Sequence, residues 1–320
     1  MTWRLVRAGL ALLVATVLFA CGGSAPSITP ASRVSPTPAA TPTPTASATP
    51  APTTSTVPIT KLLTLCPAPR AFSSLQRFGS VADARDIDVA SDGSVWVSTG
   101  SRGVIAHLSS TGASMASYNE TSPAGVVALT NGAVLFADQA DDRVVELNTS
   151  TLAISTFLQL RPRAGQPNVE GLGVDLANAR LLVPDTAEGQ LLSVPLAGGE
   201  ATVLATGIAQ PVDAAVGPGS VIQVSSATLV PGLVSVPQGG GAATPHKTVL
   251  LHLGAVVVRG LLVYFTAPPS KRVYAFNPAT GNTAVLVTAI SDPLGLGLLG
   301  NGQLVVSDAT SGTLATFHGC

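Results

Sequence analysis

Short apolar runs of four or five residues, separated by turn residues, recur through most of the chain. Within Pro123–Thr151 the three runs are Gly125–Leu129, Val134–Ala137 and Val144–Leu147. Asn131-Gly132 separates the first two runs, and the acidic stretch Asp138–Asp142 separates the second from the third. Runs of β-branched and aliphatic residues bounded by such turns are typical of antiparallel strands joined by hairpins. The pattern therefore predicts an all-β fold without long helices.

This unit of strands and turns occurs six times. Aligned on the first strand of each unit, the six copies share one position, occupied by Asp86, Gly125, Gly171, Asp213, Ala255 and Gly295. Successive copies of that position are 39, 46, 42, 42 and 40 residues apart. A period of roughly 40 to 50 residues with about four strands per unit is typical of a β-propeller, in which neighbouring blades bury each other's faces. We therefore predict a six-bladed β-propeller over residues 61–320.

The two ends of the predicted propeller complement each other. The last unit supplies three strands, whereas Phe72–Phe78 precedes the first unit and looks like a strand without a hairpin partner. We predict that Phe72–Phe78 closes the ring as the outer strand of the last blade, because this pairing removes an open sheet edge. Cys66 and Cys320 also lie at opposite ends of this domain. In an exported protein such a pair predicts a disulfide, and the alternatives are two free thiols or a metal pair.

The N-terminal residues 1–20 have the pattern of a targeting segment. Arg4 and Arg7 precede a largely apolar stretch of thirteen residues, Ala8–Ala20, shorter than the roughly 20 needed to span a bilayer. We interpret this segment as a signal peptide. Its end, Leu-Phe-Ala-Cys-Gly at residues 18–22, resembles the bacterial lipobox, which implies lipidation of Cys21 and attachment to membrane lipid. The alternative is an ordinary secretory signal with a chance cysteine.

Residues 21–60 differ in composition from the domain that follows. Nine of the 25 prolines lie in this segment, among threonine, serine and alanine, and large apolar side chains are nearly absent. Such a sequence cannot bury enough apolar surface to offset the entropy of ordering it. It predicts a disordered stalk between the lipid anchor and the propeller.

Charge and motif content exclude several classes of function. Charged residues make up 10% of the chain, and the only lysines are Lys61, Lys247 and Lys271. A nucleic-acid partner is excluded because phosphate binding needs clustered lysine and arginine. The sequence has no serine-hydrolase elbow, no phosphate-binding loop and no Cys-x-x-Cys motif, and its four histidines have no metal-ligand spacing.

One repeat resembles a known motif. Leu135–Asp138, followed by Asp142–Leu147, is similar to an NHL repeat, and Asp185 and Asp308 occupy the place of Asp138 in their own units. We expect these three aspartates to accept hydrogen bonds from the turns that follow them. The wider resemblance is to six-bladed propellers of the gluconolactonase and virginiamycin B lyase families, and it covers the architecture of the whole repeat region.

The resemblance implies a site at the mouth of the central channel. The candidates at the starts of the inner strands are Arg85, Asp86, Glu170, Asp213 and Asp292. In gluconolactonase-like proteins a divalent metal at the mouth is held by the glutamate of a Glu-Gly pair together with asparagine and aspartate. Glu170-Gly171 resembles that pair and Asp213 comes from a suitable blade, which implies Ca²⁺ or Mg²⁺. The asparagine ligands have no match here, and Glu170 as a solvated or hydrogen-bonded rim carboxylate is the alternative.

Two functions follow as expectations. The first is a monomeric bacterial lipoprotein, exported and lipid-anchored to the outer face of the cell membrane or envelope, whose propeller is a binding platform without catalysis. Its ligand is an envelope glycan, a peptide or a protein. The second is a metal-dependent lactonase or lyase that uses Glu170 and Asp213, with Asp86 as a third candidate.

Overall fold

The computed structural model describes residues 59–162, 168–229, 231–247, 249 and 252–320. Within these ranges the chain forms six mostly antiparallel sheets that follow one another in sequence, which confirms the predicted six-bladed β-propeller. None of the helices in the described ranges has the length and apolar character needed to cross a membrane. The predicted signal peptide, Cys21 and residues 22–58 of the predicted stalk lie outside the described residues.

The N-terminal segment contributes a 3₁₀ helix at Ile59–Leu65 and two strands that join the ring, β1 (Arg70–Ala71) and β2 (Gln76–Ser80). From the channel outwards, blade 1 comprises β3 (Asp86–Val89), β4 (Val95–Ser98), β5 (Val104–Leu108) and β6 (Ser114–Asn119). Blade 2 comprises β7 (Pro123–Ala128), β8 (Ala133–Asp138), β9 (Arg143–Asn148) and β10 (Ile154–Gln159). Blade 3 comprises β11 (Gly173–Asp175), β12 (Arg180–Asp185), β13 (Gln190–Pro195) and β14 (Thr202–Thr206).

The second half of the ring repeats this plan. Blade 4 comprises β15 (Pro211–Gly217), β16 (Val221–Ser226), β17 (Leu233–Pro237) and β18 (Thr244–Pro245). Blade 5 comprises β19 (Val256–Arg259), β20 (Leu262–Ala267), β21 (Arg272–Asn277) and β22 (Asn282–Thr288), and blade 6 comprises β23 (Leu296–Leu298), β24 (Gln303–Asp308), β25 (Thr313–His318) and β2. Short 3₁₀ turns lie at Phe72–Ser74, Gly100–Arg102, Leu176–Asn178 and Pro268–Ser270.

The core consists of the layers between neighbouring blades. Every residue of β8 is buried, because Val134 and Phe136 pack towards blade 1 whereas Leu135 and Ala137 pack towards blade 3. A sheet covered on both faces needs apolar residues on both, which explains the near-continuous apolar runs of the sequence. The innermost strands approach one another closely around the channel. A Cβ atom on Gly173 would lie 2.0 Å from the Ala214 carbonyl oxygen of blade 4, so only glycine fits there.

The ring is closed as predicted, with a correction to the closing strand. β2 pairs antiparallel with β25 as the outer strand of blade 6, but it spans Gln76–Ser80 instead of Phe72–Phe78. Phe72–Ser74 forms a 3₁₀ turn because the Leu75 N–H donates to the Phe72 carbonyl (3.0 Å) and the Ser74 hydroxyl donates to the Ala71 carbonyl (2.7 Å). The sequence pattern also missed β1, which pairs in parallel with β22 of blade 5. The N-terminal segment thus joins blades 5 and 6.

The predicted disulfide is present. Cys66 and Cys320 are bonded across a sequence separation of 254 residues. Both cysteines pack against the apolar layer between blades 5 and 6, and the Cys320 N–H donates to the Tyr264 hydroxyl at 3.2 Å. The covalent link therefore lies at the same junction as the hydrogen-bonded closure and ties the two ends of the domain together.

Candidate functional site at the channel mouth

Two cavities follow one another along the central channel. The cavity at the mouth measures about 100 Å³ and is lined by polar groups from several blades, including Arg85, Gln139, Glu170 and His252. The deeper cavity measures about 230 Å³ and is lined mainly by valine and alanine of the inner strands. Asp86 and Asp213 border both cavities, so they mark the boundary between the mouth and the channel.

Asp86 and Asp213 connect neighbouring blades. One carboxylate oxygen of Asp86 accepts the Val126 N–H of blade 2 at 2.9 Å. Asp213 does the same for blade 5, where its Oδ2 accepts the Val256 N–H at 2.8 Å and its Oδ1 accepts the N–H of the following residue, Ala214. The innermost strand of a blade has a free edge whose N–H groups would otherwise be unpaired, and burying such a group without a partner is costly. These two aspartates therefore have a structural role between the blades.

The pattern of aspartate and glycine around the ring follows from this role. Asp86 and Asp213 occupy the same aligned position three blades apart, whereas blades 2, 3 and 6 have glycine there. Between blades 3 and 4 the Gly171 N–H donates directly to the Val212 carbonyl at 2.7 Å, and a Cβ atom on Gly171 would lie 2.7 Å from that oxygen. Glycine thus permits direct contact between backbones, whereas aspartate reaches the next blade through its side chain.

Burial alters the acidity of the channel carboxyl groups. Burial raises the pKa of Asp86 from 3.8 to about 7, although the N–H groups of Val126 and Ile87 partly stabilise its charged form. Burial, and then the nearby Asp86, raise the pKa of Asp213 well above its ordinary value. The Asp88 carboxylate accepts the Ala128 N–H at 2.7 Å, and burial raises its pKa as well. Burial removes these three carboxyl groups from water, and their hydrogen bonds replace the lost water only in part. The ionised form of each acid is therefore disfavoured.

A set of buried hydroxyl groups, which the sequence reasoning missed, supports the starts of the inner strands. The Ser98 and Ser307 hydroxyls accept the N–H groups of Asp86 (3.2 Å) and Gly295 (2.8 Å). The Ser225 hydroxyl donates to the Gly254 carbonyl of the next blade at 2.6 Å. The Thr266 hydroxyl likewise donates to the Leu294 carbonyl at the start of blade 6, at 3.0 Å. The sequence feature that could have revealed these hydroxyl groups is a serine or threonine at the equivalent position of four repeat units.

Glu170, Arg85 and His252 remain available at the mouth. The Glu170 carboxylate is partly buried and has no hydrogen-bond or ion-pair partner in the described part of the chain. Burial raises the pKa of Glu170, and the neighbouring Arg85 and His252 offset part of that rise. The Arg85 guanidinium has one distant ion pair, with Asp83 at 3.7 Å, and its side chain donates no hydrogen bond within the described ranges. These three side chains are free to bind a ligand.

Arg85 is positioned by Gly100. A Cβ atom at Gly100 would lie 2.2 Å from the Arg85 Nε, so the side chain of Arg85 rests directly on the backbone of the 3₁₀ turn Gly100–Arg102. Gly100 also has a φ of +45°, a conformation that glycine adopts at no steric cost. The local sequence therefore holds the guanidinium over the mouth.

Asp292, the fifth predicted candidate, does not line the mouth cavity. Its backbone N–H donates to Asp308 Oδ1 at 3.0 Å, which fixes the start of blade 6. Burial raises the pKa of Asp292, the nearby Asp308 raises it further, and Arg85 partly offsets the rise. The structure thus places Arg85, Asp86, Glu170 and Asp213 around one cavity, with Asp292 beside it.

Two of the three turn aspartates, Asp138 and Asp185, make the expected hydrogen bonds with backbone N–H groups of the following turn. Asp138 accepts the Ala140 N–H at 3.1 Å and forms an ion pair with Arg143 at 3.0 Å, and Asp185 accepts the Glu188 N–H at 3.0 Å. Asp308 differs, because it accepts the Ser311 hydroxyl and the Asp292 N–H instead of a backbone group of its own turn. In blade 1, Thr99 takes over the role by accepting the Val104 N–H at 2.9 Å.

The donor set at the mouth gives little support to a divalent metal site. Ca²⁺ takes roughly six to eight oxygen ligands and Mg²⁺ about six. Both Asp213 oxygens and Asp86 Oδ2 already accept backbone N–H groups, so Glu170 is the acid of the cavity that has no hydrogen-bond partner among the described residues. Throughout the described ranges, no group of three or more histidine, cysteine, aspartate or glutamate side chains is arranged to hold a metal ion. Metal binding by Glu170 and Asp213 stays a prediction.

Known proteins share the fold of this chain. No protein-family model matches it, and no curated protein matches it in sequence. Among solved structures, regucalcin from Agrobacterium tumefaciens, described as a calcium-binding protein, has a TM-score of 0.60 at 13% identity, covering 76% of this chain and 95% of regucalcin. Virginiamycin B lyase from Staphylococcus aureus has a TM-score of 0.55 at 12% identity, with 74% and 84% covered.

A third similar structure is a nidogen–laminin complex, with a TM-score of 0.58 at 16% identity, covering 67% of this chain and 84% of the matched one. At these identities the similarity shows the six-bladed propeller and nothing about activity. The same architecture occurs in a lyase, in a calcium-binding protein and in a protein complex, so the function has to be argued from the site.

Proposed function

We propose that the chain is an exported lipoprotein, anchored to membrane lipid through Cys21, whose propeller binds a ligand at the channel mouth without catalysis. The anchor places it on the outer face of the cell membrane or envelope of a bacterium. The disulfide between Cys66 and Cys320 supports export, because such bonds persist in oxidising compartments. The proline-rich residues 21–60, whose one charged side chain is Arg33, act as a stalk that holds the propeller away from the membrane.

The binding proposal rests on which of the mouth residues already have hydrogen-bond partners in the protein. Asp86 and Asp213, the acids that border both the mouth and the deeper cavity, accept backbone N–H groups of neighbouring blades. Glu170, Arg85 and His252 have no such engagement in the described chain and face one cavity. Convergent polar groups in a partly apolar cavity are typical of a binding site.

The size of the mouth limits what enters it. A volume of about 100 Å³ is well below the roughly 300 Å³ at which pockets for small organic ligands begin. The mouth therefore accepts the end group of a ligand, while the rest of an envelope glycan, a peptide or a protein lies on the surrounding rim. A monomeric propeller is sufficient for this arrangement.

The second candidate function is a metal-dependent lactonase or lyase with its site at the same mouth. The similarity to virginiamycin B lyase and to calcium-binding regucalcin favours it, since both share the architecture. Glu170 would then hold the cation together with Asp213. The two candidates differ in metal dependence, because only the enzyme needs a divalent cation at Glu170.

The lipid anchor predicts a specific labelling result. Wild-type protein expressed in a bacterial host is expected to incorporate a palmitate analogue, and Cys21→Ser is expected to lose that label completely, because the thiol of Cys21 is the acceptor. Cys66→Ser is the matched control and keeps the label. Labelling of Cys21→Ser, or unlabelled wild-type protein, would contradict the anchor and leave an ordinary secretory signal.

A further inference from the structure

Two opposite charges at the mouth lie near each other without forming a pair. The Arg85 guanidinium interacts electrostatically with Glu170, but no nitrogen of Arg85 lies within 4.0 Å of a Glu170 oxygen. The side chain of Arg85 is 43% exposed and donates no hydrogen bond to the described residues. Glu170 therefore lines the cavity without a hydrogen-bond partner among the described residues, and Arg85 has only its 3.7 Å ion pair with Asp83, which leaves both groups to be completed by a ligand or water.

The balance of charge selects the kind of ligand. Arg85 lies close enough to Glu170 and Asp292 to lower the pKa of both carboxyl groups, and Asp83 lies 3.7 Å from the Arg85 Nε. A simple anion bound to Arg85 would be repelled by these carboxylates, and a simple cation bound to Glu170 would be repelled by Arg85. A ligand that carries both charges satisfies each group and adds no net charge to the site.

We propose that the mouth cavity binds the zwitterionic group of an α-amino acid, either free or at the end of a larger ligand. Its ammonium donates to the Glu170 carboxylate, and its carboxylate accepts from the Arg85 guanidinium. This inference rests on the proposed binding function and names its ligand chemistry.

The cavity suits that group in size and surroundings. A cavity of about 100 Å³ is large enough to hold an ammonium, an α-carbon and a carboxylate side by side. The walls between the charged groups are apolar, formed by residues such as Val212, Leu253 and Leu294. Low-dielectric walls strengthen both charge contacts, and an arginine fork binds a carboxylate through two parallel hydrogen bonds.

The test is a titration of the purified full chain at neutral pH, followed by NMR or calorimetry. The probes are alanine, N-acetylalanine, which lacks the ammonium, and alaninamide, which lacks the carboxylate. We expect alanine to bind and each blocked analogue to bind at least tenfold more weakly. Glu170→Gln and Arg85→Gln are each expected to weaken alanine binding at least tenfold. The matched controls Glu200→Gln and Arg77→Gln, both exposed and away from the mouth, should stay within twofold of wild type.

A further variant separates position from charge. Gly100→Ala keeps both charges but pushes the Arg85 side chain out of place, so it too is expected to weaken alanine binding while thermal denaturation shows a folded protein. Nε-acetyl-lysine keeps the zwitterionic group and extends beyond the cavity. It therefore distinguishes a free amino acid from an amino-acid group at the end of a larger ligand. Tighter binding than alanine indicates the end group of a larger ligand, and equal or weaker binding indicates a free amino acid.

The proposal is overturned if alanine does not bind, if either blocked analogue binds as well as alanine, or if the control variants cause the same loss as the mouth variants. None of these three results would contradict the general proposal that the mouth binds a ligand without catalysis. A different observation, metal-dependent turnover that requires Glu170, would contradict that proposal.

Discussion

Removing the Cys66–Cys320 disulfide is expected to lower the free energy of unfolding by about 5 kcal/mol. The bond closes a loop with a sequence separation of 254 residues, and the chain-entropy model assigns that stabilisation to a loop of this length. For a domain of this size, the loss corresponds to a decrease in melting temperature of roughly 10 to 20 °C. The propeller is still expected to fold, because β2 remains paired with β25 and β1 with β22.

Thermal and urea denaturation of the Cys66→Ser, Cys320→Ser double variant measure this effect. Cys21→Ser is the control, because Cys21 lies outside the propeller. A double variant as stable as wild type would mean that the strand pairing alone holds the ring closed and that the disulfide contributes nothing.

Stability is expected to fall as the pH rises from about 4 to about 8. In this range the folded protein keeps a proton on Asp86, whose pKa is raised to about 7, whereas the unfolded chain has already released it near 3.8. The folded state then binds more protons than the unfolded state, so the free energy of unfolding decreases with pH. The rise in pKa corresponds to roughly 4 kcal/mol, and Asp213 and Asp88 act in the same direction.

Asp86→Asn tests the cause of this dependence. The asparagine side-chain oxygen still accepts the Val126 N–H, but it has no charge to bury. We therefore expect the variant to be more stable than wild type at pH 8 and to have a flatter pH profile. Asp142→Asn, at the turn between β8 and β9, is the matched control and should follow the wild-type profile. A loss of stability in Asp86→Asn at every pH would show that the carboxylate is bound in its ionised form.

The fold was predictable because a propeller repeats its unit. The spacing from Asp86 to Gly295 established six blades before any contact was known, and the cysteines at the two ends indicated closure. The pairing of β1 with β22 was not predictable, because a strand of two residues has no alternation to detect. The bounds of β2 were wrong because local hydrogen bonds at Phe72–Ser74 compete with strand pairing there.

The mouth was predictable in location but not in the roles of its residues. The aligned position identified Asp86 and Asp213, yet their partners, Val126 and Val256, are 40 and 43 residues further along the chain. No local pattern reveals a hydrogen bond to the next blade. The recurrence of aspartate after three blades, with glycine or alanine between, was the signal that the position serves the contact between blades. The position of the Arg85 side chain over Gly100 depends on the positive φ of Gly100 and on the close approach of the two residues. Neither feature can be recognised in the sequence.

The most direct test of the binding platform is the metal content and thermal stability of the purified full chain, with and without Ca²⁺, Mg²⁺ or Zn²⁺. We expect no stoichiometric metal and no change in melting temperature on adding any of these ions or a chelator, for both wild type and Glu170→Ala. One bound equivalent of metal, together with a melting shift that Glu170→Ala abolishes, would contradict it. That result would establish the mouth as a metal centre and favour the lactonase or lyase.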